Sequence, residues 1–176
     1  MLSQLEMVLK GGRVLRYHTK TLTRPETVAE HHHVVAWLAT FYWQFKYGAL
    51  PRAELLVLCL GHDLPEHVTG DIPAPAKRRV PGMREELEKY EEELMVQAGM
   101  PRVVCTAEEA EVLHFCDSFS GWVKCLYERA MGNLTLAVTE QRYLEYTYEL
   151  LRGAEHLDTD LCEGWVAQLQ REGVPS

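Results

Sequence analysis

His62 and Asp63 stand side by side at the end of an apolar run, and Glu66 follows them by four and three positions. On a helix these three side chains share one side. A His, an Asp and a Glu gathered in apolar surroundings need partners, because an unpaired charge there costs on the order of several kcal/mol. A divalent cation is one such partner, and it needs more donors than a single turn provides.

Two other segments offer them. After Thr27, the residues Val28, Val35, Leu38, Ala39, Tyr42 and Phe45 form an apolar stripe at helical spacing. At about 100° per residue His31 falls on that stripe, His32 at its border and His33 outside it. Asp117 sits among Ala110, Leu113, Phe115, Cys116 and Phe119, one turn before Gly121, where a lone acid is costly. Two neutral imidazoles (His31, His62) and two carboxylates (Asp63, Asp117) suit Zn²⁺, Mn²⁺, Fe²⁺ or Co²⁺ and leave coordination positions open. Open positions belong to a catalytic rather than a structural metal.

The elements that must position these groups are helical. No segment sustains period-two alternation, and the pattern predicts an all-α domain of six to seven helices spanning residues 1–176. Thr27 and Glu30 form a capping box that opens a helix running to about Tyr47, with Gly48 as its left-handed stop. A third helix is expected from Pro51 through the His62-Asp63 pair, ending or kinking at Pro65, which has no amide to donate. Residues 70–82, with three prolines and two glycines, read as a loop that can cover a site. An acid-rich helix follows over 83–98. A second capping box, Thr106 with Glu109, opens a long helix to about Met131, and two more helices are expected near 134–151 and 159–171.

Composition narrows the function. With 176 residues, 47% apolar and 25% charged, the chain can bury a single core. Its net charge of −8 excludes sequence-independent binding to a nucleic-acid polymer, which rests on phosphate neutralisation. Local basic clusters (Lys10 to Arg24, and Lys77-Arg78-Arg79) suit a small anion instead. No apolar run approaches the ~20 residues of a membrane helix, and no secretory signal is evident, so a cytoplasmic location is expected. The five cysteines, an odd set without a CxxC, read as free thiols. Trp37, Phe41 and Tyr42 read as packing residues, and the aromatic content of their helix points to a homo-oligomer.

At this point the residues meet a known family. Glu30-His31, His62-Asp63 and Asp117 resemble the HD-domain phosphohydrolases. The longer stretches RPETVAEH (24–31), HDLPEHVTGDIPAPAK (62–77) and CDSFSGWVKCLYERAMGN (116–133) are similar to the bacterial HD-domain 5′-deoxynucleotidases. Over about Arg16 to Asn133, the resemblance implies one divalent metal on His31, His62, Asp63 and Asp117 (Zn, Co or Mn) and hydrolysis of a 2′-deoxynucleotide. It implies phosphate contacts from Arg16 and Lys77, an acid/base role for Glu66 and a polar site position at Asp71. Tyr17 stands where the family has tryptophan beside sugar and base. Phage dATP triphosphohydrolases carry the same signature and release triphosphate; the run from Lys77 to Arg79, with Arg16 and Lys20, has the charge for more than one phosphate, and that substrate adds Mg²⁺ to the candidate metals. A phage-encoded chain would act in the host cytoplasm. The alternative reading is a catalytically silent HD module that binds a nucleotide as a sensor.

Overall fold

The computed structural model describes residues 2–174. It is all-α, with α1 (Leu2–Gly11), α2 (Val28–Tyr47), α3 (Ala53–Cys59), α4 (Glu66–Thr69), α5 (Ala74–Arg79), α6 (Met83–Gln97), α7 (Ala107–Ala130), α8 (Ala137–Gly153) and α9 (Thr159–Glu172). Both capping boxes form as expected. Thr27 accepts from the Glu30 amide while the Glu30 carboxylate accepts from the Thr27 amide, and Thr106 and Glu109 do the same for α7. Gly48 ends α2 in the left-handed region at φ 65°.

The structure corrects four local expectations. The described residues hold nine helical segments rather than six or seven, because α4 and α5 are additional short ones. The helix expected through His62 and Asp63 stops at Cys59; beyond it the chain winds on in tighter turns, with the Gly61 amide on Leu58 O and the Leu64 amide on Gly61 O. Pro65 cannot donate, so regular winding resumes only at Glu66. The expected loop over 70–82 contains α5, since Pro75 falls in a first helical turn, where a missing amide costs nothing. Finally, a two-residue antiparallel ladder joins β1 (Leu15–Arg16) to β2 (Glu26–Thr27), too short to leave an alternating pattern.

α7 is the central element, packed between α2 and α8. Val112, Phe115, Cys116, Phe119, Trp122 and Leu126 from α7 meet Val35, Ala39 and Tyr42 from α2 and Leu55 and Cys59 from α3. Cys59, Cys116, Cys125 and Cys162 are buried free thiols and Cys105 is an exposed one. Tyr42 is buried as expected, whereas Trp37 and Phe41 are about half exposed. Gly11 is required by packing: a Cβ there would lie 2.6 Å from Leu64 O, in the turn that carries Asp63. The end of α1 thus braces that turn from below.

The loop between β1 and β2 is tied down by one buried carboxylate on α7. Glu128, with no exposed side-chain surface, accepts hydrogen bonds from the Thr23 amide, Lys124 Nζ and Asn133 Nδ2 at 2.8, 2.8 and 2.6 Å. Burial raises its carboxyl, but the Lys124, Thr23 and Asn133 donors outweigh burial and hold it at about 2. A carboxyl depressed below its ordinary 4.5 contributes stability that is complete above that pH and lost as pH falls toward 2. Glu128→Ala is therefore expected to cost about 3 kcal/mol at neutral pH, through stranded donors, and to flatten acid denaturation between pH 4.5 and 2. Urea unfolding across that range checks both.

Candidate metal centre

Three elements converge near the middle of α7. α2 projects His31 inward, the turn after α3 presents His62 and Asp63, and α7 presents Asp117. Donor atoms of His31, His62 and Asp63 lie within 4.8 Å of one another. Asp117 Oδ1 joins them, 2.9 Å from His31 Nε2 and 4.0 Å from His62 Nε2. Asp63 Oδ2 is 3.4 Å from His62 Nε2 and 3.8 Å from His31 Nε2. Ligand atoms bound at about 2.0–2.2 Å to one cation sit roughly 3–3.5 Å apart, close to this spacing.

The hydrogen bonds behind the cluster turn the right atoms toward it. His62 Nδ1 meets the Cys59 carbonyl at 3.2 Å; a carbonyl only accepts, so the ring proton sits on Nδ1 and Nε2 keeps its lone pair. His31 Nδ1 lies 3.2 Å from Ser120 Oγ, a hydroxyl that accepts when the ring proton is on Nδ1. His31 Nε2 and His62 Nε2 are both buried without a protein hydrogen-bond donor, and Asp117 Oδ1 faces His31 Nε2 at 2.9 Å. Two orphaned imidazole nitrogens facing two carboxylates have the chemistry of a divalent-cation site. Burial, then the nearby Arg16 charge, lowers His31, so the ring is held neutral as a ligand must be. Burial raises the Asp63 and Asp117 carboxyls, but the neighbouring histidines and Arg16 outweigh it and keep both ionised.

His32 plays a different part. Its Nε2 accepts the Asp63 amide at 3.3 Å, which commits its lone pair and fixes the turn; burial, then the neighbouring His62, pushes it down to about 3. His33 is exposed.

Around the cluster the expected substrate residues separate into groups. Arg16 is buried, pairs with Glu26 Oε2 at 3.0 Å and stands over the Tyr17 ring. Tyr17 adopts φ 56°, unusual for a residue with a Cβ, and is held there by its amide donating to Asp71 Oδ2 at 2.8 Å and by its hydroxyl meeting Tyr143 Oη at 3.0 Å. Asp71 thus shapes the Tyr17 backbone. Glu66 is buried, and burial, then the Asp63 and Asp71 carboxylates, pushes it up to about 9, against the pull of Lys77 and Arg16. Lys77 is half-buried at the last turn of α5. Lys20 is exposed, and its side chain has no hydrogen-bond or ion-pair partner among the described residues.

Ser120, Glu26 and Tyr143 escaped sequence reasoning. Ser120 lies one turn after Asp117, a signal that was present but indistinguishable from core packing. Tyr143 covers Gly121, where a Cβ would lie 2.4 Å from its ring, so the glycine marks a close approach from α8.

A helical bundle that gathers two histidines and two aspartates from α2, the α3–α4 turn and α7 defines the HD-type metal-dependent phosphohydrolases. The chain belongs to the 5′-deoxynucleotidase YfbR-like family, whose profile matches residues 4–150. A 5′-deoxynucleotidase of Vibrio vulnificus is 31% identical over 135 residues, 66% of this chain and 70% of the relative. The 5′-deoxynucleotidase YfbR of Salmonella paratyphi B is 28% identical over 150 residues, 75% of each chain. Solved structures share the fold. The HD phosphohydrolase of cyanophage S-2L, bound to dA and one catalytic Zn²⁺ ion, aligns with a TM-score of 0.68 and 23% identity over 94% of both chains. An HD-domain phosphohydrolase of Listeria innocua aligns at 0.73 and 21% identity, covering 96% of this chain and 89% of its own.

Proposed function

We propose that the chain is a hydrolase of 2′-deoxynucleotides whose metal ligands are His31, His62, Asp63 and Asp117. The observation that carries this reading is the pair of orphaned imidazole nitrogens facing two carboxylates beside a buried arginine. The mixed nitrogen and oxygen donor set favours Zn²⁺, Co²⁺ or Mn²⁺ over Mg²⁺. Bound there, such a cation supplies Lewis acidity toward water and a phosphoryl oxygen.

The chain's own residues do the rest. Arg16, held by Glu26, faces the α-phosphate and balances charge that develops on its oxygens, with Lys77 opposite. Glu66, protonated at neutral pH, holds a proton on its carboxyl for the departing 5′ oxygen when the P–O5′ bond breaks. Asp71 acts by keeping Tyr17 in its left-handed conformation, with the Tyr17 ring beside the nucleoside. Attack at the α-phosphorus serves mono- and triphosphates alike, and the triphosphate reading is supported by the basic run of α5.

No helix among the described residues is long and apolar enough to cross a membrane. On this reading residues 1–176 form one domain that acts in the cytoplasm, and self-association through α2 is supported by Val34, Trp37, Phe41 and Phe45, exposed along one face.

Incubating the Mn²⁺- or Co²⁺-loaded protein with deoxynucleoside mono-, di- and triphosphates, then separating products by chromatography, tests the reading. Orthophosphate from a monophosphate or tripolyphosphate from dATP is the expected result. Nucleotide binding with no product would overturn it in favour of a sensor.

A further inference from the structure

A cavity of about 290 Å³ opens between α5 and α8, away from the four ligand residues. Arg78 and Arg79 of α5 and Arg142 of α8 line it, with Tyr146, Glu145 and Glu149. None of the three guanidiniums has an ion-pair partner among the described residues, although two carboxylates share the cavity wall. Glu145 accepts from Gln141 Nε2 at 2.8 Å, and Glu149 also borders the next groove along α8, lined by His114 and Leu157. The cavity therefore holds three arginines against two carboxylates, a local excess of positive charge on a chain whose net charge is −8.

We propose that this cavity is a second anion site, specific for a polyphosphate group. Guanidiniums present planar, bidentate donors matched to phosphate oxygens, and three of them from two helices span more than one phosphate. The volume lies at the lower end of small-ligand pockets, beyond the needs of orthophosphate, and the Tyr146 ring at the wall offers a face for a guanidinium or a base. The position gives the site a consequence. α5 also carries Lys77, and α8 carries Tyr143, which covers Gly121 and meets the Tyr17 hydroxyl. An anion drawing α5 and α8 together acts on both walls of the metal centre.

The same chemistry has two sources: the tail of a nucleoside triphosphate whose α-phosphate lies at the metal centre, or a separate polyphosphate effector. Titrating the metal-loaded full-length protein with inorganic tripolyphosphate in a calorimeter, with Arg142→Glu and Arg78→Ser beside the parent, tests the site. We expect each variant to bind tripolyphosphate at least about 30-fold more weakly, with melting temperatures unchanged and, for Arg142→Glu, orthophosphate release from a deoxynucleoside monophosphate within about twofold of the parent. Affinity within about twofold of the parent in both variants, or no binding to the parent, overturns the proposal. A higher KM for a deoxynucleoside triphosphate in Arg142→Glu, with tripolyphosphate competing, assigns the substrate tail; an unchanged KM, with tripolyphosphate altering kcat, assigns an effector. Calorimetry reads binding directly, so a failure of monophosphate hydrolysis in the parent bears on the proposed function and leaves this test intact.

Discussion

Asp117→Ala is expected to reduce bound metal from one ion per chain to near zero and turnover by at least about 10³-fold. The carboxylate is the only donor that α7 contributes, 2.9 Å from His31 Nε2, and without it His31, His62 and Asp63 form an incomplete set. Loss of the cation removes several kcal/mol of transition-state charge stabilisation, and each 1.4 kcal/mol or so is a factor of ten. The substitution isolates that effect, because the Asp117 side chain is 42% exposed and alanine is a good helix residue. Its fold should therefore survive. Metal analysis after dialysis, with kcat/KM at saturating metal, checks the first part. The rise in melting temperature that Mn²⁺ or Co²⁺ gives the parent, an expression of binding to the folded state, should disappear in the variant. Full metal occupancy with near-parental turnover would remove Asp117 from the centre.

Glu66→Gln separates chemistry from metal binding. Glutamine keeps the shape and the neutral charge of a protonated glutamate but cannot deliver a proton, so kcat is expected to fall about 10²–10⁴-fold with metal content and KM little changed. Stability should move the other way. A buried carboxyl raised to about 9 binds its proton more tightly in the fold than in the unfolded chain, where it titrates near 4.5. That contribution is complete below pH 4.5 and is lost as pH rises through 9, so the metal-free parent weakens across that window. The Gln variant lacks the loss and should melt higher than the parent at pH 8. Turnover retained within tenfold would exclude Glu66 from proton transfer.

The helical class and the caps were legible because they are local. Thr27 with Glu30, and Thr106 with Glu109, meet three residues apart, and each pair closed as the spacing required. The selection of His31 over its two neighbours was legible too, since helical periodicity alone turns His33 to solvent. The border position of His32 left its task open, and only the fold shows its Nε2 on the Asp63 amide. The path of the chain around His62 and Asp63 was misjudged for a related reason: an apolar run promises a helix, but the close seating of Gly11 against Leu64 and the missing amide of Pro65 favour tight turns.

What the sequence by itself determined is the inventory: which residue types are present, which helix each rides, and which side of that helix it faces. Periodicity and capping act within a few residues, so they are written in neighbouring letters. The tertiary structure alone decided the distances between helices, and with them that four side chains from three elements face one another closely enough to hold one cation. It also decided that Glu66 is buried among other acids, that Tyr143 closes over Gly121, and that three arginines face one cavity. Those outcomes depend on how α7 packs against α2 and α8, a property of contacts between residues 89 to 126 positions apart, which no local spacing encodes.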